Sequence, residues 1–427
     1  MLAKQAKWWM QEDWLAVWLG LATLLVVVLG WRPMLPAFKW ADGSALGGVF
    51  SYANGHKSLL LCTILLVMAL PGALLLGAKA VRFAAGFLFV YVLSWAAQFI
   101  AGNATMSYWG IEYVIFALIL GLFVSNVIGT PAWLMEAVRT EYFIKTGLVI
   151  MGATILIQDI IEAGFLGMLQ AVLVVMVVWY FSFWLCKKMK LDDEFTVMLS
   201  TAVSICGVSA AIAACGAIQG DRRRLSYVAS IVLIVAVPMI VLQPWLIKTM
   251  GLSDVVGGAW LGGTLDTTGS VVAAGSLISE TAMKIGTIVK FSQNLLIGFA
   301  ALLLSIWWSM KQPAGADGKR ERPSAWVIWE RFPKFVLGFV GASLVFSLLV
   351  DPAIVRATKG TVTGLRTAWF AMAFACIGLE TKFTDLLTME NGRPLVAFLG
   401  AQTVNVVWTL VLAWLIFGGY FFAVPKV

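Results

Sequence analysis

Apolar runs of about 20 residues recur through the whole chain, from 14–31 to 394–418, and about 20 residues is what an α-helix needs to cross a ~30 Å hydrocarbon core. Inside lipid every backbone donor and acceptor must find a partner within the protein, which leaves only helices and closed barrels as spanning structures. Barrel strands alternate apolar and polar over roughly 10 residues, and these runs do not alternate. Composition closes the soluble alternative. Only 12% of the 427 residues are charged and 61% are hydrophobic, whereas soluble domains carry about 25% charged residues. Too little polar material remains to solvate a surface. The chain therefore reads as all-α and as a polytopic integral membrane protein, with the lipid bilayer as its first partner.

Thirteen candidate segments follow: 14–31, 59–79, 83–102, 108–129, 143–160, 163–186, 196–219, 226–249, 257–281, 285–309, 334–351, 364–386 and 394–418. Trp8, Trp9, Trp14, Trp31, Trp40, Trp307 and Trp308 fall near segment ends, where aromatic belts sit at the interface. Glu12 and Asp13 precede the first apolar run, so the N-terminus reads as retained rather than as a cleaved signal. The expected organisation is an N-terminal extra helix and loop over 1–55 and a transporter domain over 56–427. A cytoplasmic connector at 310–333, with Pro313, Gly315 and Gly318, would join its halves.

Charge distribution sharpens the topology. If all thirteen segments cross and the N-terminus is inside, 18 Lys and Arg lie inside and 12 outside, with Arg222, Arg223 and Arg224 stranded outside. If 196–219 and 257–281 each enter and return on one side, the division becomes 20 inside and 10 outside. The positive-inside bias favours the second arrangement: two re-entrant or broken segments that enter from opposite faces. Both are rich in Gly and hydroxyl residues, and Gly weakens a helix by about 1 kcal/mol against Ala. Non-helical backbone survives at membrane depth only where protein buries it or water reaches it. Paired interrupted segments are the sequence pointer to a transporter's binding site. A weak internal match, Gly152-x6-Asp159 against Gly378-x6-Asp385, is compatible with inverted repeats.

Two constellations could carry chemistry. Asp266 lies in an apolar run, where a carboxylate costs at least about 2.5 kcal/mol. With Thr264 and Thr267 it reads either as a Na⁺ or H⁺ coupling site or as a helix cap. Ser204, Cys206, Gly207 and Ser209 in the first broken segment, with Thr268, Gly269 and Ser270 in the second, offer hydroxyls and backbone N–H groups to an oxyanion. The alternative is a small-residue packing seam. Gln293 and Asn294, next to Lys290, add amides that either line the site or tie neighbouring helices, and Asn126 closes another span. Glu112, Asp159, Glu380, Lys382 and Asp385 lie nearer segment ends and read as interfacial. His56 is the sole histidine and no two of the five cysteines form a C-x-x-C pair. No metal site, cofactor, Walker loop or G-x-S-x-G nucleophile is expected. The formal net charge of +8 comes from short loops between spans, which argues against nucleic acid as a partner.

Ser204-Ile205-Cys206-Gly207-Val208-Ser209-Ala210, Val271-Val272-Ala273-Ala274-Gly275, the run Arg331 to Phe339 and Ile377-Gly378-Leu379 occur in an order that resembles the YeiH-like sulfate exporter family, over about 108–415. The resemblance implies a core domain with broken helices moving against a panel domain, and a homodimer in a bacterial-type inner membrane. In that family a His-Glu pair often precedes the Val-Val-Ala-Ala run, where Asp266-Thr267 stands here, and a basic residue often stands where Gln293 does. These departures bear on substrate charge and coupling ion. The expected function is ion-coupled transport of a small anion such as sulfate, a sulfonate or a carboxylate, without enzymatic activity. The rival readings are an anion channel and a non-catalytic subunit of a membrane complex.

Overall fold

A computed structural model gives the fold and describes residues 8–41, 43–108, 112–311, 326–382 and 392–425. Among them the chain is helical, with one isolated β-bridge between Trp40 and Asn103. The principal helices, in chain order, are α1 (Glu12–Val28), α2 (Tyr52–Leu75), α3 (Ala80–Ala101), α4 (Tyr113–Phe123), α5 (Thr140–Gly152), α6 (Ile157–Lys188), α7 (Asp193–Ser204), α8 (Val208–Ile218), α9 (Arg222–Thr249), α10 (Asp254–Thr264), α11 (Thr268–Ser276), α12 (Glu280–Lys311), α13 (Phe335–Leu348), α14 (Pro352–Glu380) and α15 (Arg393–Phe417). Seven helices are long and apolar enough to cross a membrane by length and composition: α2, α3, α6, α9 (over Tyr227–Thr249), α12 (over Glu280–Trp308), α14 and α15. The protein is an all-α, multi-pass membrane protein.

Several segment boundaries differ from the sequence reading, each for a local reason. The run 143–160 stops at Gly152, and α6 begins at Ile157, whose N–H donates to Ser347 Oγ. The run 364–386 starts far earlier, at Pro352, because Asp351 caps the helix by accepting from the Ala353 N–H at 2.6 Å and Pro352 suits a first-turn position. The run 108–129 ends in a π-turn, Val124–Gly129. Its Ser125 Oγ and Asn126 Nδ2 each donate to Thr381 O at 2.9 Å, so Asn126 serves the C-terminal carbonyls of α14. Asp385, residues 383–386 and 109–111, and 312–325 of the connector lie outside the described residues.

The chain forms two compact units. The first joins residues up to Gln158 with Lys334–Lys382, and so holds α1–α5, α13 and α14. Here α1 is tied to α5 by Lys145, whose ammonium lies 3.2 Å from Glu12 and 2.9 Å from Asp13. The second unit holds Asp159–Pro333 and Phe383–Val427, and its architecture positions the candidate site.

In this second unit α7 and α8 form a hairpin that enters and returns on one side. Asp192 caps α7 by accepting from the Phe195 N–H at 3.0 Å. Arg224, just beyond α8, pairs with Asp192 and Glu194 at the start of α7. The open end of this hairpin therefore lies beside the first turn of α9. A second hairpin, α10 and α11, is packed on α12. Gly258 and Gly262 of α10 face Ala282 and Gly286, so α10 runs with α12, whereas Gly275 of α11 faces Met283, so α11 runs against it. Its open end lies at the start of α12. At the other end of α12, Ser305 Oγ donates to Ala217 O near the end of α8. The two hairpins thus enter from opposite ends of the unit. Their inbound arms hold 12 and 11 residues, about 18 Å and 16 Å, each near half the ~30 Å hydrocarbon thickness. The tips meet in the middle.

Candidate functional site

The tips are three-residue breaks, 205–207 and 265–267. Gly207 holds φ at +61° and caps α8 without a side chain. A methyl group built there would come within 2.6 Å of Val232 Cγ1 and 3.0 Å of Asp266 Cβ. The first tip therefore needs glycine both for its conformation and for the approach of the second tip. On the second tip Thr267, not Asp266, is the cap: Thr267 Oγ1 accepts from the Ser270 N–H at 3.0 Å and lies 2.7 Å from Ser270 Oγ. Asp266 precedes the cap and is 2% exposed, and its Oδ2 has no hydrogen-bond partner.

The C-terminal carbonyls of the two inbound arms converge on α12. Lys290, 1% exposed, donates from Nζ to Ile205 O at 2.6 Å and to Gln293 Oε1 at 2.7 Å. Gln293 Nε2 donates to Ser204 O at 2.9 Å and to Gly263 O at 3.4 Å, so one amide joins both tips. Asn294 Nδ2 donates to Thr268 Oγ1 at 3.3 Å, and its buried Oδ1 is unpartnered. From α15, Gln402 Nε2 donates to Thr264 O at 2.8 Å and Asn405 Nδ2 to Val203 O at 3.2 Å. From α9, Gln243 Nε2 donates to Thr264 Oγ1 at 2.6 Å.

Electrostatics follow from this geometry. Helix C-termini carry partial negative charge and N-termini partial positive charge. The Lys290 ammonium sits at the negative end of α7, and Asp266 sits at the positive ends of α8 and α11. Each buried charge thus faces the dipole that suits it, and the two act on one another across the tips. The first turns of α8 and α11 leave backbone N–H groups without helical acceptors.

All the residues singled out in the two broken segments gather at this crossing. Cys206, Gly207 and Asp266 form the breaks themselves. Ser204 and Thr264 turn their hydroxyls to their own helices, donating to Ser200 O at 2.8 Å and Trp260 O at 2.6 Å. Thr268, Gly269 and Ser270 are buried in the first turn of α11, and Ser209 is exposed on the first turn of α8. Gln293 and Asn294 take the helix-tying role and the site-lining position at once. Asn126, Glu112 and Glu380 belong to the other unit. Sequence reasoning misses Gln243, Gln402 and Asn405; the available signal is one amide inside the apolar run 226–249 and two inside 394–418, each of which needs a partner in lipid.

A family model described as "Conserved hypothetical protein 698" matches residues 85–397, a stretch that holds both tips and the polar face of α12. A UPF0324 membrane protein of Rhodopirellula baltica is 39% identical over 353 residues, covering 80% of this chain and 64% of the relative. A UPF0324 membrane protein of Nitratidesulfovibrio vulgaris is 34% identical over 403 residues, covering 91% of this chain and 68% of the relative. One from Nitrosomonas europaea is 28% identical over 454 residues, covering 91% and 93%. The chain thus spans less than the full length of the first two relatives. No solved structure matches. The family agrees with the resemblance read from the motifs: this chain belongs to the UPF0324 membrane protein family, that of Conserved hypothetical protein 698.

Proposed function

We propose that this chain is an ion-coupled secondary transporter for a small anion such as sulfate, a sulfonate or a carboxylate, acting by alternating access in a bacterial-type inner membrane. The observation that carries the reading is the meeting of two hairpins from opposite ends of one unit, tip to tip, around a buried carboxylate and a buried ammonium. Irregular backbone at that depth is tolerated where it lines a cavity, and discontinuous helices in transporters hold substrate and coupling ion near the midplane. The helix N-termini of α8 and α11, with Ser209, Thr268 and Ser270, supply donors for an anion. Positive-inside bias supports a cytoplasmic position for the end that bears Lys187, Lys188, Lys190 and Arg224, and with it a cytoplasmic N-terminus.

The test is uptake by proteoliposomes of labelled sulfate, a labelled two-carbon sulfonate and a labelled dicarboxylate. The expected outcome for one of the three classes is saturable uptake that unlabelled anion on the far side accelerates. Non-saturating anion currents in planar bilayers would replace the transporter with a channel.

A further inference from the structure

A transporter that couples to Na⁺ places the ion among unwound backbone carbonyls and the C-terminal ends of half-helices. Here five of those oxygens already give one of their two lone pairs to a side-chain nitrogen. Val203 O, Ser204 O, Ile205 O, Gly263 O and Thr264 O each accept from a side-chain nitrogen: Asn405, Gln293, Lys290, Gln293 again and Gln402. Thr264 Oγ1, the hydroxyl nearest the second tip, already accepts from Gln243 and donates to Trp260 O. One of the nitrogens is a full cation. The Lys290 ammonium stands at the carbonyl end of α7, where a metal cation would otherwise sit, and it is tethered to α12. Among the described residues, buried side-chain atoms left without a partner near the tips include the acceptors Asp266 Oδ2, Asn294 Oδ1, Gln243 Oε1 beside Thr264 and Gln170 Oε1 beside Gly263. A buried carboxylate oxygen with a free lone pair takes a proton without needing five or six further oxygen ligands.

We infer that the coupling ion is a proton and not sodium, and that Asp266 Oδ2 carries it. The inference rests on the transporter reading for its role but not for its test. The charges balance as follows. In the unloaded site the Asp266 carboxylate and the Lys290 ammonium cancel. Asp266 takes one proton from the side to which the tips are open and becomes a carboxylic acid, while Lys290 remains an ammonium. The site now holds one uncompensated positive charge, which a monovalent anion neutralises; a divalent anion leaves one negative charge that moves with the site. On the far side the anion leaves and the acid returns its proton to water. The titratable groups that face Lys290 are Cys206 on the first tip and Asp266 on the second. The charged group that faces Asp266 is Lys290 on α12, and α9 and α15 present amides to the two arms: Gln243, Gln402 and Asn405.

The test needs no identified substrate. Purified full-length protein is melted in NaCl and in choline chloride over a series of pH values, as wild type, Asp266→Asn and Asp266→Glu. The expected result is the same melting temperature in both salts at every pH. The wild-type pH profile should contain a component that Asp266→Asn loses and Asp266→Glu keeps. A melting temperature raised by Na⁺ in wild type and not in Asp266→Asn overturns the inference, and so do identical pH profiles for wild type and Asp266→Asn. If Asp266→Asn does not fold, infrared difference spectra between acid and alkaline pH decide. The other ten aspartates give carboxylic C=O bands in both proteins, so the readout is the wild-type spectrum minus that of Asp266→Glu: it should hold a C=O band sensitive to ¹³C-aspartate, and its absence sinks the assignment. Failure of the transporter reading would show separately, as absence of labelled-anion uptake with these proton results unchanged. Anion uptake driven by a Na⁺ gradient and indifferent to a pH gradient would leave the transporter reading standing and remove the proton.

Discussion

Gly207 is the residue on which the crossing is most exposed to change. Its φ of +61° lies in a region that a side chain enters only with strain, and its missing Cβ leaves room for Asp266. Gly207→Ala should lower stability by about 1–3 kcal/mol, from backbone strain together with overpacking. Thermal melts in detergent would show it, and unchanged melting would mean that the tips can part without loss. Gln293 makes a different prediction. Gln293→Leu keeps the volume but leaves Ser204 O and Gly263 O without their donor, at about 1–3 kcal/mol for each buried orphan. Gln293→Glu also removes the donor, but its carboxylate keeps the 2.7 Å contact with the Lys290 ammonium as an ion pair, so it should melt above Gln293→Leu. The reverse order would show that Gln293 packs rather than bonds.

The elements were legible in the sequence to different depths. The long spans were, since an apolar run of membrane length has one spanning solution for its backbone. So were the two interrupted segments, because Gly clusters and the placing of Arg222–Arg224 pointed the same way, while the choice between a re-entrant hairpin and a broken span stayed open. Asp266, Gly207 and Gln293 could be named for their chemistry in an apolar setting. What could not be read was which oxygen each amide would meet: Gln402 lies 138 residues from Thr264, and no local pattern encodes such a pairing. The cap of α11 was also ambiguous, since Asp266 and Thr267 are adjacent and both are good capping types. Helix α1 offers a test at this scale. Lys145 gathers Glu12, Asp13 and Glu141 within 3.4 Å, and Asp13 also accepts from the Lys334 N–H at 2.9 Å. Lys145→Met should leave three carboxylates facing one another and cost about 1–3 kcal/mol, since hydrogen bonds to charged groups contribute on that order and partial exposure weakens them. Faster clipping of α1 in limited proteolysis would mark the loosened contact; an unchanged digestion pattern would show that apolar packing alone holds α1.

For the whole molecule the decisive feature is sidedness. All five native cysteines are buried, which gives a quiet background for thiol labelling. Cysteines introduced at Lys190 and Gly220, on either side of the first hairpin, should react with a membrane-impermeant reagent from the same face. Thr249→Cys and Ser279→Cys, on either side of the second, should react from the opposite face. If Lys190→Cys and Gly220→Cys label from different faces, the first segment crosses and the tips cannot meet as described.

The joint made by Gln293 also ties the protein to its solvent. Two arms of nearly equal length hang from opposite surfaces and share one amide, so neither can lengthen, shorten or rotate by a residue without pulling its last carbonyl about 100° around the helix axis. The unit therefore behaves as a gauge of fixed span. A bilayer thinner or thicker than that span cannot be met by sliding the arms, and the strain of mismatch, a fraction of a kcal/mol per Å, falls on the lipid. On the proposed transport function, anion uptake by vesicles made from lipids of graded chain length should pass through a maximum where the hydrocarbon thickness equals the combined reach of the arms.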